Sequence, residues 1–149
     1  MKSAASITSL PCTCATLRRA TRVLTHLYDE ALHPTGLRST QFTILQVLSR
    51  TGAINQKQLG SILAIDSTSL TRALMPMLRQ GWIDRQHGED RRQWSFTLSS
   101  SGKALFRRAL PRWNRVQTRV QQRLGPELWA RLNHTADQLT SNLLQGESQ

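Results

Sequence analysis

The sequence predicts a mainly α-helical fold of six helices with one small β-hairpin near the middle of the chain. Apolar residues recur at helical spacing through most of the 149 residues, whereas residues 81–98 alternate with period two. Gly and Pro residues separate these segments. The chain has 8 Gly, 5 Pro and 38% hydrophobic residues, an ordinary globular composition. We therefore expect one folded domain over residues 1–149.

The first two predicted helices lie in the N-terminal third of the chain. Small and apolar residues recur on one side of the first helix, over about 12–33, and Pro34 breaks the pattern. Ser39 or Thr40 can cap the second helix, and Gly52 can end it. The second helix is densely apolar, which is typical of a central core helix.

Two short helices follow, with only a few residues between them. Asn55 can cap the third helix, and Asp66 or Ser67 can cap the fourth. Two short helices joined by such a turn form a helix-turn-helix candidate. After Gly81, apolar and polar residues alternate on both sides of a polar tip, which predicts a β-hairpin. Together these elements predict a winged helix-turn-helix over about 38–98.

Long amphipathic helices over about 100–145 complete the predicted fold. A first helix starts after Ser99, a Gly-Pro pair ends it, and the last helix has a regular apolar stripe. With the helix at about 12–33, these segments carry more apolar surface than one small core requires. We expect a second copy of the chain to cover part of that surface, so that the protein is a homodimer held together by its N- and C-terminal helices.

The charge balance favours a polyanionic partner. Twenty Lys and Arg residues against nine Asp and Glu residues give a formal net charge of +11, which attracts nucleic acid and makes binding sensitive to salt. Double-stranded DNA is the preferred interpretation, and a nonspecific architectural nucleic-acid-binding protein is the alternative. A membrane surface competes for this charge, but no window approaches the roughly 18 apolar residues of a membrane span. We expect a cytoplasmic protein with no membrane partner, since no secretory signal is evident.

Enzymatic chemistry finds no support in the sequence. The chain has no Gly-rich phosphate loop, no plausible Ser/His/Asp catalytic triad and no pair of carboxylates framed by a pocket. We therefore expect no catalytic residue and no cofactor. A metal site built from Cys12, Cys14 and either His26 or His33 ranks last, because a second ligand pair at a recognised spacing is missing.

Two segments carry candidate DNA contacts. The start of the fourth helix is rich in hydroxyl groups and ends in a cation, and such groups reach phosphates and base edges in a major groove. Helix capping explains one of these hydroxyls but not four. The hairpin tip is cationic, and an arginine on a thin loop can enter a minor groove, although a solvated turn is the alternative. The candidates are Ser67, Thr68, Ser69, Thr71 and Arg72 on the helix, and Arg85, Asp90, Arg91 and Arg92 on the hairpin.

Four passages share their order and spacing with one known family. They are residues 36–42, residues 58–72, residues 78–83, and Asp90-Arg91-Arg92 followed by Thr97-Leu98-Ser99. The last passage resembles the wing signature of the multiple antibiotic resistance regulator (MarR) family of winged helix-turn-helix repressors. That signature is an Asp, any residue and an Arg, followed by a strand that ends in Leu-Thr or Leu-Ser before a long helix.

The resemblance implies how such a protein meets DNA. It implies a dimer in which the first, fifth and sixth helices interlock, the fourth helix enters the major groove and the wing reaches the adjacent minor groove. Ser67, Thr68, Ser69, Thr71 and Arg72 would then contact the groove and phosphates. Asp90 would be the acid that orients an arginine side chain, and Arg92 would be the wing-tip arginine. Two symmetric reading heads prefer a pseudo-palindromic operator with half-sites about 10 base pairs apart.

The resemblance also implies release of DNA in response to a signal. Family members commonly respond to an aromatic or phenolic acid bound between the dimer helices and the DNA-binding lobe, or to cysteine oxidation. Candidate lining residues for such an effector are Tyr28, His33, Arg38 and Trp113, each of which alone is more often a core or solvated residue. Cys12 and Cys14 are redox-sensing candidates, because an intermolecular disulfide there would reposition the dimer arms. The alternative is that both cysteines are simply packed as small hydrophobic residues.

Overall fold

The structure is a computed structural model that describes residues 12–88 and 92–146. That part of the chain forms six α-helices and a small antiparallel sheet. The elements are α1 (Thr13–Leu32), a 3-10 turn (His33–Thr35), α2 (Ser39–Thr51), β1 (Ile54–Asn55), α3 (Gln56–Leu63), α4 (Ser67–Arg79), β2 (Ile83–His87), β3 (Trp94–Leu98), α5 (Ser100–Leu124) and α6 (Pro126–Gly146). The predicted mainly α fold with a winged helix-turn-helix is confirmed. None of the described helices is long and apolar enough to cross a membrane.

Local side-chain caps start the two helices of the helix-turn-helix. The Asn55 side chain accepts a hydrogen bond from the Gln58 N–H at 2.8 Å, and Gln58 accepts one in return from the Asn55 N–H. Asp66 accepts a hydrogen bond from the Ser69 N–H at 2.9 Å. Helices α3 and α4 therefore begin where the sequence predicts.

Helix α2 starts with the help of a carboxylate from another helix. Asp29 of α1 accepts hydrogen bonds from the Ser39 N–H at 2.6 Å and from the Arg38 guanidinium at 3.3 Å. The predicted cap at Ser39 or Thr40 is therefore wrong, because Arg38 occupies the N-cap position. Burial raises the pKa of the Asp29 carboxyl, but the hydrogen bonds from Ser39 and Arg38 outweigh this effect and hold the pKa below its ordinary value.

The wing is part of a three-stranded antiparallel sheet with strand order β1-β3-β2. Ile83 pairs with Leu98, Arg85 pairs with Phe96, and Ile54 of β1 pairs with the other side of Phe96. Cross-strand partners point to the same face of a sheet. The four apolar residues of this set are buried and close one side of the core.

The core lies between α2, α4, the sheet and the first half of α5. Phe42 of α2 is its centre, with 1% of its surface exposed. Its ring stacks on Phe106 and Trp113 of α5, with centroid distances of 5.3 Å and 5.6 Å. The winged helix-turn-helix is thereby packed, through α2, against the long helix α5.

The start of α5 is fixed against the turn that links α4 to β2. The Ser99 and Ser101 hydroxyls both donate to the Gly81 carbonyl oxygen at 2.6 Å. The Ser99 N–H donates to the Trp82 carbonyl oxygen at 3.2 Å. Gly102 leaves the space that this contact needs, because a Cβ there would lie 1.8 Å from the Trp82 carbonyl oxygen.

The terminal helices leave much of their apolar surface uncovered. Residues 126–145 of α6 include no buried residue, and Leu32 is the one buried residue of α1. The large hydrophobic side chains left exposed on these two helices are Leu17, Val23, Leu128, Leu132, Leu143 and Leu144. Within the described residues, one copy of the chain therefore leaves these apolar side chains of α1 and α6 outside any core.

Candidate nucleic-acid interface

Helix α4 has one buried face and one exposed face. Leu70, Leu74 and Met77 pack into the core. On the opposite side, residues at positions i, i+4, i+7 and i+11 are all exposed and follow one stripe. This α4 stripe consists of Thr68, Arg72, Met75 and Arg79. Its hydroxyl, guanidinium and thioether groups suit contacts with phosphates, base edges and thymine methyl groups.

Two of the predicted hydroxyl contacts are used within the helix-turn-helix itself. The Ser69 hydroxyl donates to Asp66 at 2.6 Å, and the hydrogen bonds from Ser69 hold the pKa of the Asp66 carboxyl below its ordinary value. The Thr71 hydroxyl donates to the Ser67 carbonyl oxygen at 2.9 Å and accepts from the Gln56 side chain at 2.8 Å. Helix capping and local hydrogen bonds therefore account for at least two of the hydroxyl groups in this segment, not for one alone.

Met75 and Arg79 are candidate interface residues that the sequence analysis does not single out. Both lie on the α4 stripe with Arg72, and 41% of the Met75 surface is exposed. The signal was present in the helical period, because positions three and seven residues beyond Arg72 face away from buried Leu74.

The wing brings an arginine and two rings into contact. The Arg85 guanidinium carbon lies 4.0 Å from the centroid of the Trp94 ring. The His87 ring stacks on Trp94 with a centroid distance of 4.0 Å and an interplanar angle of 26°. Arg85 is a predicted contact and is exposed here.

Of the three residues predicted at the wing tip, Arg92 lies within the described part of the chain. It is exposed and lines a cleft of about 590 Å³ between the wing and helices α3 and α4, together with Trp94 and Lys57. Asp90 and Arg91 lie outside the described residues. The orienting role of Asp90 stays a prediction.

The four effector-pocket candidates do not share one site. Tyr28 and Trp113 line an open cavity of about 350 Å³ between α1, α2 and α5. The Tyr28 hydroxyl donates to Gln117, and burial raises the pKa of Tyr28. His33 is exposed in the 3-10 turn, and Arg38 forms an ion pair with Asp29, so neither belongs to the lining.

Both cysteines lie at the exposed start of α1 and are free thiols. Cys12 is the N-cap residue, and its Sγ accepts a hydrogen bond from the Ala15 N–H at 3.2 Å. Cys14 lines an apolar groove of about 540 Å³ with Leu139 and Leu143 of α6. Neither thiol is buried within one copy of the chain, and no three His, Cys, Asp or Glu side chains of the described residues gather into a metal site.

Comparisons with known proteins match this architecture. The MarR family model matches residues 37–94. The chain is 30% identical over 118 residues to the multiple antibiotic resistance protein MarR of Salmonella typhimurium, a match that covers 77% of this chain and 74% of that protein. It is 31% identical over 90 residues to the uncharacterized HTH-type transcriptional regulator YwoH of Bacillus subtilis, with 60% and 66% covered. The crystal structure of the M. tuberculosis transcriptional regulator MosR in complex with DNA matches with a TM-score of 0.77 and 33% identity, over 87% of this chain and 97% of that one.

Proposed function

Because this chain belongs to the MarR family of transcriptional regulators, we propose that it binds double-stranded DNA as a homodimer and represses transcription until a signal releases it. The observation that carries the proposal is the α4 stripe, in which two exposed arginines lie on the second helix of the helix-turn-helix. The net charge of +11 supports a DNA partner. The proposed DNA contacts are the α4 stripe, Ser67 and the wing arginines.

The geometry of the α4 stripe suits a major groove. Its ends, Thr68 and Arg79, are eleven residues apart, which corresponds to roughly 16 Å along a helix. A helix fits the major groove, which is about 12 Å wide, with its side chains on base edges and its flanks near phosphates. Two copies related by symmetry would read a pseudo-palindromic operator.

The exposed apolar side chains of α1 and α6 support the homodimer. Leu128 and Leu143 of α6 are 49% and 65% exposed in one copy of the chain. A second copy that covers these helices would bury them and fix the distance between the two reading heads. Light scattering during size-exclusion chromatography tests this assignment, and a stable monomer at micromolar concentration would contradict it.

Fluorescence anisotropy on DNA from upstream of the coding sequence, with a scrambled control, tests DNA binding. Arg72→Ala and Arg79→Ala are expected to weaken specific binding at least about tenfold each. Each substitution occurs twice in a dimer, so the slope of log affinity against log salt should fall by about 1.8. Arg50→Ala is the matched control, because Arg50 is exposed in the last turn of α2, outside both the proposed DNA contacts and the proposed dimer helices.

The outcomes of that experiment separate sequence-specific DNA binding from nonspecific binding. Unchanged operator affinity in both α4 variants would contradict the assignment of α4 as the reading helix. Equal affinity for operator and scrambled DNA would favour the nonspecific architectural alternative, for which the net charge alone suffices.

The signal that releases DNA has two candidates. The first is a small aromatic or phenolic acid in the cavity lined by Tyr28 and Trp113. The second is oxidation of Cys12 and Cys14, which the positions of the thiols at the exposed start of α1 and beside α6 favour. Hydrogen peroxide would convert two thiols from neighbouring chains into one disulfide and two waters, and the new bond would reposition α1 in the dimer.

Anisotropy with reduced and mildly oxidised protein separates these candidates. Peroxide-induced release in the native protein, absent from Cys12→Ser and Cys14→Ser, would support the cysteine switch. Release that persists in both variants would contradict it. Salicylate tests the other candidate, with Tyr28→Phe and Trp113→Leu expected to weaken the response, and an unchanged response in both variants counting against the cavity.

A further inference from the structure

We propose that Trp94 is a positioning residue that, together with the His87 ring stacked on it, holds Arg85 against the DNA backbone, so that the wing contacts DNA through Arg85 as well as through Arg92. The proposal rests on the proposed DNA binding. The sequence motifs give Trp94 no role beyond that of a strand residue.

Trp94 lies where the inward face of the wing passes beyond the core. At the base of the strands, Ile83 and Leu98 face each other and are 2% and 6% exposed. At the tip, His87 faces Trp94, and 36% of Trp94 is exposed. The same face is therefore apolar and buried at its base but aromatic and cationic at its end. At this position the Trp94 ring packs against polar side chains rather than against the apolar core.

The contacts of Trp94 restrict two flexible side chains. The guanidinium carbon of Arg85 lies 4.0 Å from the centroid of the ring, a cation–π distance. The His87 ring stacks at a centroid distance of 4.0 Å. An arginine that is already ordered loses less conformational entropy when it binds a phosphate, because its rotamer is set beforehand.

Stacking on a ring leaves the guanidinium available for DNA. The N–H donors of an arginine lie in the guanidinium plane, so an aromatic ring against its flat face does not consume them. A carboxylate would occupy those donors, but the structure records no ion pair for Arg85 among the described residues. The described lining of the adjacent cleft includes Lys57 and Arg92 and no acidic side chain. A phosphate is the partner that fits these donors and this local charge.

A double-mutant cycle tests whether Trp94 acts through Arg85. In the native background, Trp94→Leu is expected to weaken operator binding about three- to tenfold, and Trp94→Phe, which keeps a ring, much less. In the Arg85→Ala background, Trp94→Leu should change the affinity less than about twofold. Gln86→Ala is the matched control, because Gln86 is exposed on the same strand and points to the opposite face.

The salt dependence separates positioning from a purely structural role. If Trp94 keeps Arg85 on a phosphate, Trp94→Leu and Arg85→Ala lower the salt slope by similar amounts. Additive losses in the cycle, or a weaker affinity with an unchanged salt slope, would overturn the inference. Failure of the native protein to prefer operator DNA would instead overturn the proposed function, so the two failures are distinguishable.

Discussion

Replacing Gly102 with Ala is expected to destabilise the protein, although alanine is the better helix former. The new Cβ would lie 1.8 Å from the Trp82 carbonyl oxygen and 2.8 Å from its carbonyl carbon, whereas an ordinary carbon–oxygen contact is about 3.3 Å. The first turn of α5 must therefore move away from the turn after α4 by roughly 1.5 Å. That movement strains the hydrogen bonds from Ser99 and Ser101 to Gly81.

The expected cost follows from these contacts. Overpacking costs about 1–3 kcal/mol, and each weakened hydrogen bond adds on the order of 1 kcal/mol. The intrinsic gain of alanine over glycine in a helix is less than about 1 kcal/mol. The net loss is roughly 2–4 kcal/mol, which corresponds to a fall in melting temperature of about 5–12 °C for a chain of this size.

Thermal unfolding followed by circular dichroism at one fixed protein concentration measures this effect. Ser100→Ala is the matched control, because Ser100 is exposed in the same helical turn, and its melting temperature should stay within about 2 °C of the native value. An unchanged or higher melting temperature for Gly102→Ala would refute the reasoning, because helix propensity would then outweigh the steric contact.

Three other changes probe the turn, the α4 stripe and the link between α1 and α2. Ala64 has a φ of +50° in the turn before α4, so Ala64→Gly should raise the melting temperature by about 1–3 °C; a lower value would contradict the strain. If Met75 contacts a thymine methyl, uracil at that thymine should weaken native binding but not Met75→Ala binding, and equal effects on both proteins would exclude this role. The lowered pKa of Asp29 means that its stabilising effect is present above the ordinary carboxyl value of 3.8 and is lost as the pH falls through the folded-state pKa. Asp29→Asn should therefore flatten the acid side of the plot of unfolding free energy against pH, and two superimposable plots would show that Asp29 contributes nothing.

Helix starts show which parts of the fold can be predicted from the sequence. The caps at Asn55 and Asp66 act within three residues, so residue type and local spacing suffice to find them. The carboxylate of Asp29 reaches the Ser39 N–H from another helix, and this depends on how α1 and α2 pack. Strand β1 has two residues, too few for any alternation to show.

The candidate interface divides in the same way. Arg72 and Arg85 can be predicted because they are cations in the fourth helix and in the hairpin. The helical period alone also predicts that Met75 lies on the same face as Arg72. The role of Trp94 depends on a ring contact across two strands, which requires the strand register. The register in turn is set by the whole hairpin and its loop length.

If a partner copy covers α6, whose residues 126–145 include no buried residue in one chain, the structure depends on the concentration of the protein in solution. This helix of 21 residues receives little packing stabilisation within one chain, whereas most helical stability in proteins comes from the packing of an amphipathic face. If the partner copy supplies that stabilisation, each tenfold dilution removes about 1.4 kcal/mol from the assembled state. The two reading heads are then held at a fixed spacing only above a certain protein concentration. Below that concentration the protein loses its fit to a two-part DNA site.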